Sequence, residues 1–191
     1  MKKISIIISS TALLLLSGLV ACKKYKDPDG KDLGLTNKYC NDPLAANFNQ
    51  GFPGTPDNSV CVYPADTFVG NWMLLDSVFL PDLTTFVAVH NYNLVFAQQS
   101  LATDSFRNKL SVSGFCSNGN KLNLTANKYN LALTDSLIDQ TLGQQFFCQN
   151  TDTVSGSFKV VKDSLTTKMN ILLTESNPSG TFIHVGTAIK Q

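Results

Sequence analysis

The chain is poor in most of what protein chemistry is done with. Its 191 residues hold one arginine, Arg107, two histidines, His90 and His184, and one glutamate, Glu175. Lys and Arg total 15 against 14 Asp and Glu, an excess of one that gives no basic face to neutralise phosphates, which argues against nucleic acid as a partner. There is no Gly-x-Ser-x-Gly elbow, no Cys-x-x-Cys pair and no Gly-rich phosphate loop. His90 lies just before a strand-like run and His184 alternates with Ile183 and Val185, so both read as exposed or hydrogen-bonded strand residues rather than bases. Glu175, beside Ser176-Asn177-Pro178, reads as part of a turn. These absences predict a protein that is not an enzyme and needs neither cofactor nor metal.

What is present begins with the amino terminus. Met1-Lys2-Lys3 is a short positive head, and residues 4–16 are largely apolar. That stretch is too short for a bilayer-spanning helix, which needs about 20 residues. It is followed by Ser17-Gly18-Leu19-Val20-Ala21-Cys22. Leu-Val-Ala-Cys resembles the lipobox of bacterial lipoproteins at every position. The resemblance implies that residues 1–21 are a signal peptide, that Cys22 is lipidated, and that the protein joins a membrane through that lipid anchor. Lys23 and Lys24 stand where an inner-membrane retention aspartate would be, which points to the outer membrane, facing the periplasm or the cell surface. Loss of the signal removes Lys2 and Lys3 and leaves 13 basic against 14 acidic side chains. Residues 22–38 carry Lys, Asp, Gly and Pro with little apolar content and read as a flexible tether.

Four further cysteines, Cys40, Cys61, Cys116 and Cys148, read as two disulfides in an oxidising compartment. Three pairings are open, and proximity along the chain favours Cys40 with Cys61 and Cys116 with Cys148. Residues 39–65 contain Cys40-Asn41-Asp42-Pro43, Ala46-Asn47-Phe48-Asn49 and Cys61-Val62-Tyr63-Pro64. They resemble a short Cys-x-Asp-Pro…Cys-x-Tyr-Pro module of bacterial surface proteins, with Asn41 for the usual Thr and an insertion around residues 51–56. The resemblance implies a cystine-closed spacer standing before a β-domain. Asp42, Asn47, Asn49, Asp57 and Asn58 are oxygen donors of the kind calcium uses, but their spacing is not that of an EF-hand loop, and Asx turns account for them better.

Residues 66–191 alternate apolar and polar positions over short runs separated by turn residues, which predicts an antiparallel all-β domain of roughly eight or nine strands, a barrel or a β-sandwich. Tyr92, Leu94 and Phe96 share a strand face, as do Leu110 with Val112, Leu122 with Leu124, and Met169, Ile171 and Leu173. Tyr129, Leu131 and Leu133, and then Ile183, Val185 and Ile189, are read the same way. Asn118-Gly119 signals a hairpin. Gly70-Asn71-Trp72 at the start resembles the opening of lipocalin-like barrels, which implies an antiparallel barrel with the tryptophan plugging one end. Lipocalins place a late arginine over that tryptophan, and the only arginine here sits mid-chain. If the barrel encloses a cavity, Trp72, Tyr92, Leu94 and Phe96 line it. Asp76-Ser77-Val78, Asp135-Ser136-Leu137, Asp152-Thr153-Val154 and Asp163-Ser164-Leu165 repeat a triplet that resembles the acceptor of periplasmic O-glycosylation, or else is turn chemistry.

The functional expectation is a binding module on an outer-membrane or surface lipoprotein, taking a small apolar or glycan ligand or a protein partner. Its rival is a structural accessory subunit of a cell-envelope complex with no ligand pocket. An apolar pocket favours the first, and a filled core with an exposed apolar patch favours the second.

Overall fold

The structure is a computed structural model that describes residues 36–99, 106–135, 144–162 and 166–191. Cys22, the signal sequence and most of the tether lie outside the described residues, as do two of the four Asp-Ser/Thr triplets in whole or in part.

Strands β1 (Lys38–Tyr39) and β2 (Thr55–Pro56) pair in parallel and open the small module. Two short 3-10 turns follow, at Asn58–Val60 and Pro64–Thr67. The Cys40–Cys61 disulfide closes a loop with a sequence separation of 21, worth about 3 kcal/mol through the entropy it removes from the unfolded chain. The module needs that constraint, because its own apolar core is only Cys40, Ala45 and Tyr63. The Asx side chains serve the loop. Asp42 Oδ1 accepts from the Leu44 amide at 2.9 Å and Asp57 Oδ1 from the Ser59 amide at 2.9 Å, while Asn47 bonds to Val60 and Val62 across the module. Tyr63 Oη donates to Asp42 Oδ2 at 2.7 Å, with Arg107 stacked on the tyrosine ring at 4.5 Å.

The rest is an antiparallel barrel. Its strands are β3 (Gly70–Phe79), β4 (Phe86–Gln98), β5 (Lys109–Ser113), β6 (Leu122–Ala126), β7 (Leu131–Thr134), β9 (Thr153–Lys162), β10 (Thr167–Asn177) and β11 (Gly180–Lys190). Each pairs with its neighbour in the chain, and β11 returns to β3, so eight strands close on themselves. The short β8 (Gln145–Phe146) hangs from the start of β9 outside that ring. Closure leaves the barrel without a free edge along most of its girdle, which a sandwich would not achieve.

One end is plugged. Trp72 Nε1 donates to the Phe68 carbonyl at 2.7 Å, fixing the indole under the 3-10 turn that precedes β3. Phe96 packs on Phe68, Trp72 and Phe158 with ring centroids 6.4, 6.3 and 5.7 Å away. Lys190 Nζ lies 5.4 Å from the Trp72 ring centroid, so a lysine from the last strand takes the place sought for an arginine. Gly70 opens β3 at φ +128°, a backbone conformation that side-chain-bearing residues rarely adopt.

Two strands are turned over relative to the sequence reading. On β7 the buried residues are Ala132 and Thr134, while Leu133 points outward; on β11 they are His184, Gly186 and Ala188, while Val185 and Ile189 point outward. The reason is space. An eight-stranded barrel has just enough room inside for side chains, and Trp72, Leu74, Phe96 and Phe158 already occupy it. A Cβ on Gly186 would meet Leu74 Cδ1 at 2.5 Å. The larger residues of β11 therefore go outside. Asn118-Gly119 does lie between paired strands, but in a loop spanning residues 114–121 rather than a two-residue turn. Cys116 is drawn across to Cys148, which lengthens the connection.

Replacing Phe96 by Ala removes a ring packed against three others and is expected to cost about 3–5 kcal/mol. Val95→Ala, on the outer face of the same strand, is expected to cost under about 1 kcal/mol. Urea unfolding followed by circular dichroism distinguishes the two; equal losses would mean that Phe96 is not part of the load-carrying interior.

Candidate functional site

The end of the barrel opposite Trp72 is built differently. β3 buries Trp72, Leu74, Asp76 and Val78 in turn, so a carboxyl occupies a position the alternation reserves for the core. β10 buries Met169, Ile171 and Leu173 and then presents Glu175 on the same face. β11 contributes His184 from between them. His184 Nδ1 lies 2.7 Å from Asp76 Oδ2 and Nε2 lies 3.0 Å from Glu175 Oε2, so one imidazole bridges two carboxyls. Exposure falls from 14% at Glu175 through 7% at His184 to 1% at Asp76, a line running from the rim into the barrel.

Burial alone would strip the proton from His184. Hydrogen bonds to Asp76 and Glu175 outweigh that penalty and lift its pKa to about 9. The His184 hydrogen bond in turn holds Glu175 below its ordinary value against partial burial, with help from Asn177. Beside the trio stands Tyr92, pushed up to about 12 by burial and by the charges of Asp76 and Glu175. Asp76 Oδ1 is buried and has no hydrogen-bond partner among the described residues.

Aromatic rings wall this end. Tyr92 and Phe115 are 5.3 Å apart, Phe115 and Phe147 5.7 Å, and Phe147 and His184 6.3 Å, centroid to centroid. Phe115 and Phe147 each directly precede a cysteine of the Cys116–Cys148 disulfide, which ties the two loops together at this end. β4 pairs with β5 only from Val95 to Gln98, so above that point β4 has β3 as its ladder partner and Phe115 enters beside Tyr92. Gly114, at φ +108°, permits that entry, since a Cβ would stand 2.1 Å from the Asn93 carbonyl oxygen.

Of the four residues named for a cavity, Trp72, Leu94 and Phe96 belong to the packed core, and Tyr92 is half-buried at the acidic end. The cysteines pair as chain proximity favoured. Sequence reasoning missed Asp76, Glu175 and His184 as a unit. Glu175 is on a strand rather than in a turn, and Asp76 is a core position rather than a turn or an exposed acceptor triplet. Parity was the available signal, since Asp76 continues Trp72 and Leu74, and Glu175 continues Ile171 and Leu173. Among the described residues no group of three or more His, Cys, Asp and Glu is arranged to hold a metal ion.

The outer wall has its own character. Across β10, β11, β3 and β4 the register aligns Leu172, Val185, Ser77 and Val89; the next rows contain Leu75 and then Ile189 with Met73. Met73, Leu75, Leu172, Val185 and Ile189 are each 41–55% exposed. Lys168, Asn170, Asn91 and Asn93 border them in the same register. An open depression of about 350 Å³ lies among Ser157, Lys159, Asn170, Leu172, Val185 and Thr187.

No protein-family model matches the chain, and no curated protein does. Among solved structures, it is similar to a structural-genomics crystal structure of unknown function from Bacteroides ovatus, at 11% identity and a TM-score of 0.33. The match covers 65% of this chain and 42% of that one, so the chain spans less than half the length of the structure it matches.

The trio makes stability pH-dependent in a defined direction. His184 is raised above its unfolded value of 6.5, so its contribution is complete below that pH and is lost as pH rises through about 9. Glu175 is lowered, so its contribution is complete above 4.5 and fades only as pH falls below that value. The thermal midpoint is expected to be level from about pH 5 to 6.5 and to decline toward pH 9–10, by the equivalent of on the order of 3 kcal/mol. His184→Gln should start lower and lack the alkaline slope; a variant that kept the slope would assign it to another group.

Proposed function

We propose that this chain is a lipid-anchored protein of the bacterial outer membrane whose barrel is a docking scaffold for a protein partner, with no catalytic role. The observation that carries this reading is the apolar face of β10, β11, β3 and β4. Isolated exposed apolar residues are ordinary on protein surfaces, but a contiguous patch with a polar border has the make-up of an interface, an apolar centre inside a polar rim. Here Leu172, Val185, Leu75, Met73 and Ile189 form the centre, with the small polar Ser77 and Thr187 among them, and Lys168, Asn170, Asn91 and Asn93 the rim. The filled lower barrel adds support, because Trp72, Leu94, Phe96 and Phe158 use interior space that an apolar or glycan ligand would need. The lipobox ending at Cys22 and the tether behind it supply the anchor, and the cystine-closed module spaces the barrel from the membrane.

The anchor is tested by Cys22→Ser, which is expected to move the protein from the membrane to the soluble fraction; retention in the membrane would refute lipidation as the means of attachment. The docking face is tested by placing a photo-crosslinking amino acid at position 75 or 185 in cells, with position 129 as an exposed control on a distant turn. Positions 75 and 185 should give one discrete adduct that 129 does not give, and Val185→Asp should abolish the adduct from 75 while leaving the fold intact. Adducts from all three positions, or from none, would overturn the proposal.

A further inference from the structure

The face that docks a partner leaves the acidic end of the barrel unexplained. Asp76, His184 and Glu175 bring two carboxyls and one imidazole together inside a protein, and burying such groups costs several kcal/mol unless they are fully paired. Pairing is not complete. Both imidazole nitrogens and one oxygen of each carboxyl are used within the trio, and Glu175 Oε1 accepts from Asn177 Nδ2 at 2.8 Å. Asp76 Oδ1, at the deepest point, is buried and accepts nothing from any described residue. A carboxylate oxygen held in a low-dielectric interior is a strong acceptor, and it calls for a donor.

The surroundings narrow what that donor can be. The trio has one more acid than base, so a cation is favoured and an anion is repelled. Tyr92, Phe115 and Phe147 present aromatic surface around it, and aromatic faces attract cations and accept methylene chains alike. A metal ion does not fit, because His184 has no nitrogen free to ligate one. A quaternary ammonium fits poorly, because it has no N–H for Asp76 Oδ1. We propose that the Asp76–His184–Glu175 end of the barrel is a binding site for a primary alkylammonium group, with Asp76 Oδ1 accepting one of its N–H bonds. Glu175, the most exposed of the three, supplies the entry charge, with Phe147 packed against His184 and Phe115 against Phe147. The same head group is carried by small alkyl- and diamines and by the side chain of lysine in a partner polypeptide. The site lies inside the barrel, so it stands or falls independently of the outer docking face.

The two histidines give the test a direct reporter. In the full-length protein held in nonionic detergent and labelled with ¹⁵N at histidine alone, pentylammonium at millimolar concentration is expected to shift the His184 resonances in a saturable way. Tetramethylammonium and pentanoate should not. Asp76→Asn can keep the bond to His184 through its amide oxygen but turns an N–H toward the ligand, so affinity should fall by about tenfold or more. Should that variant not fold, Glu175→Gln at the rim preserves the other histidine bond and should weaken binding several-fold. A lysine-bearing peptide run in parallel identifies the source of the head group: tighter binding than pentylammonium assigns it to a partner's side chain, and weaker binding to a free amine. Val185→Asp should leave all of this unchanged. No shift with pentylammonium would mean that Asp76 Oδ1 is met by a bound water only, and equal shifts with tetramethylammonium would mean a cation effect that uses no N–H donor; either would overturn the proposal.

Discussion

The ladder that joins β11 to β3, from Ile183↔Phe79 to Lys190↔Trp72, is the contact on which the rest of the molecule depends. It converts a meander into a closed ring, and closure fixes an inside of limited volume. Once that volume exists, every strand must choose which parity to send inward, and the choice is made jointly. β3, β4 and β9 send in Trp72, Leu74, Phe96 and Phe158. β11 can then send in only Gly186, Ala188 and the flat ring of His184. The same ladder brings Lys190 over Trp72, so the last strand and the first close the plugged end together.

Closure also creates the polar trio. Asp76 and His184 are far apart in the chain and on neighbouring strands in the barrel, and Glu175 reaches the same imidazole from β10. None of the three would tolerate this depth alone. Together the carboxyls keep the imidazole charged, and the imidazole keeps Glu175 ionised, a mutual arrangement that costs desolvation and recovers it through short hydrogen bonds. An apolar set of similar volume would serve stability at least as well. Charged groups inside one end, with half-exposed Leu75, Leu172 and Val185 on the outer wall, reverse the usual distribution on both sides of the same sheet. Departures of that kind from local rules concentrate where a protein does its work.

The two disulfides have separate duties. Cys40–Cys61 holds together a module whose apolar core is three residues. Cys116–Cys148 joins two loops that would otherwise be independent, and in doing so places Phe115 and Phe147 beside Tyr92. The first replaces a core, and the second fastens two loops onto one.

The sequence alone determined the antiparallel β-class and favoured, without fixing, the cystine pairing found, because these rest on local signals: alternation, short turns and near cysteines. The plugging tryptophan was implied by the resemblance of Gly70-Asn71-Trp72 to a lipocalin opening. Alternation also identified the inner faces of β4, β5, β6 and β10 correctly, since there the apolar residues are the ones that fit inside. On β7 and β11 the same rule chose the wrong face, because apolar residues stand at both parities and only the filled interior decides between them. The trio was beyond local reading for a related reason. Parity puts Asp76 and Glu175 in line with core residues and His184 reads as an exposed or hydrogen-bonded strand residue, but nothing marks the three as partners until β11 lies beside β3 and β10. Lys190 shows the same limit, since a lysine near the end of a strand has no assigned role until closure lays it against an indole. Period and turn chemistry are properties of a segment and survive in the sequence, whereas the contents of a closed interior are set by the volume that other strands leave.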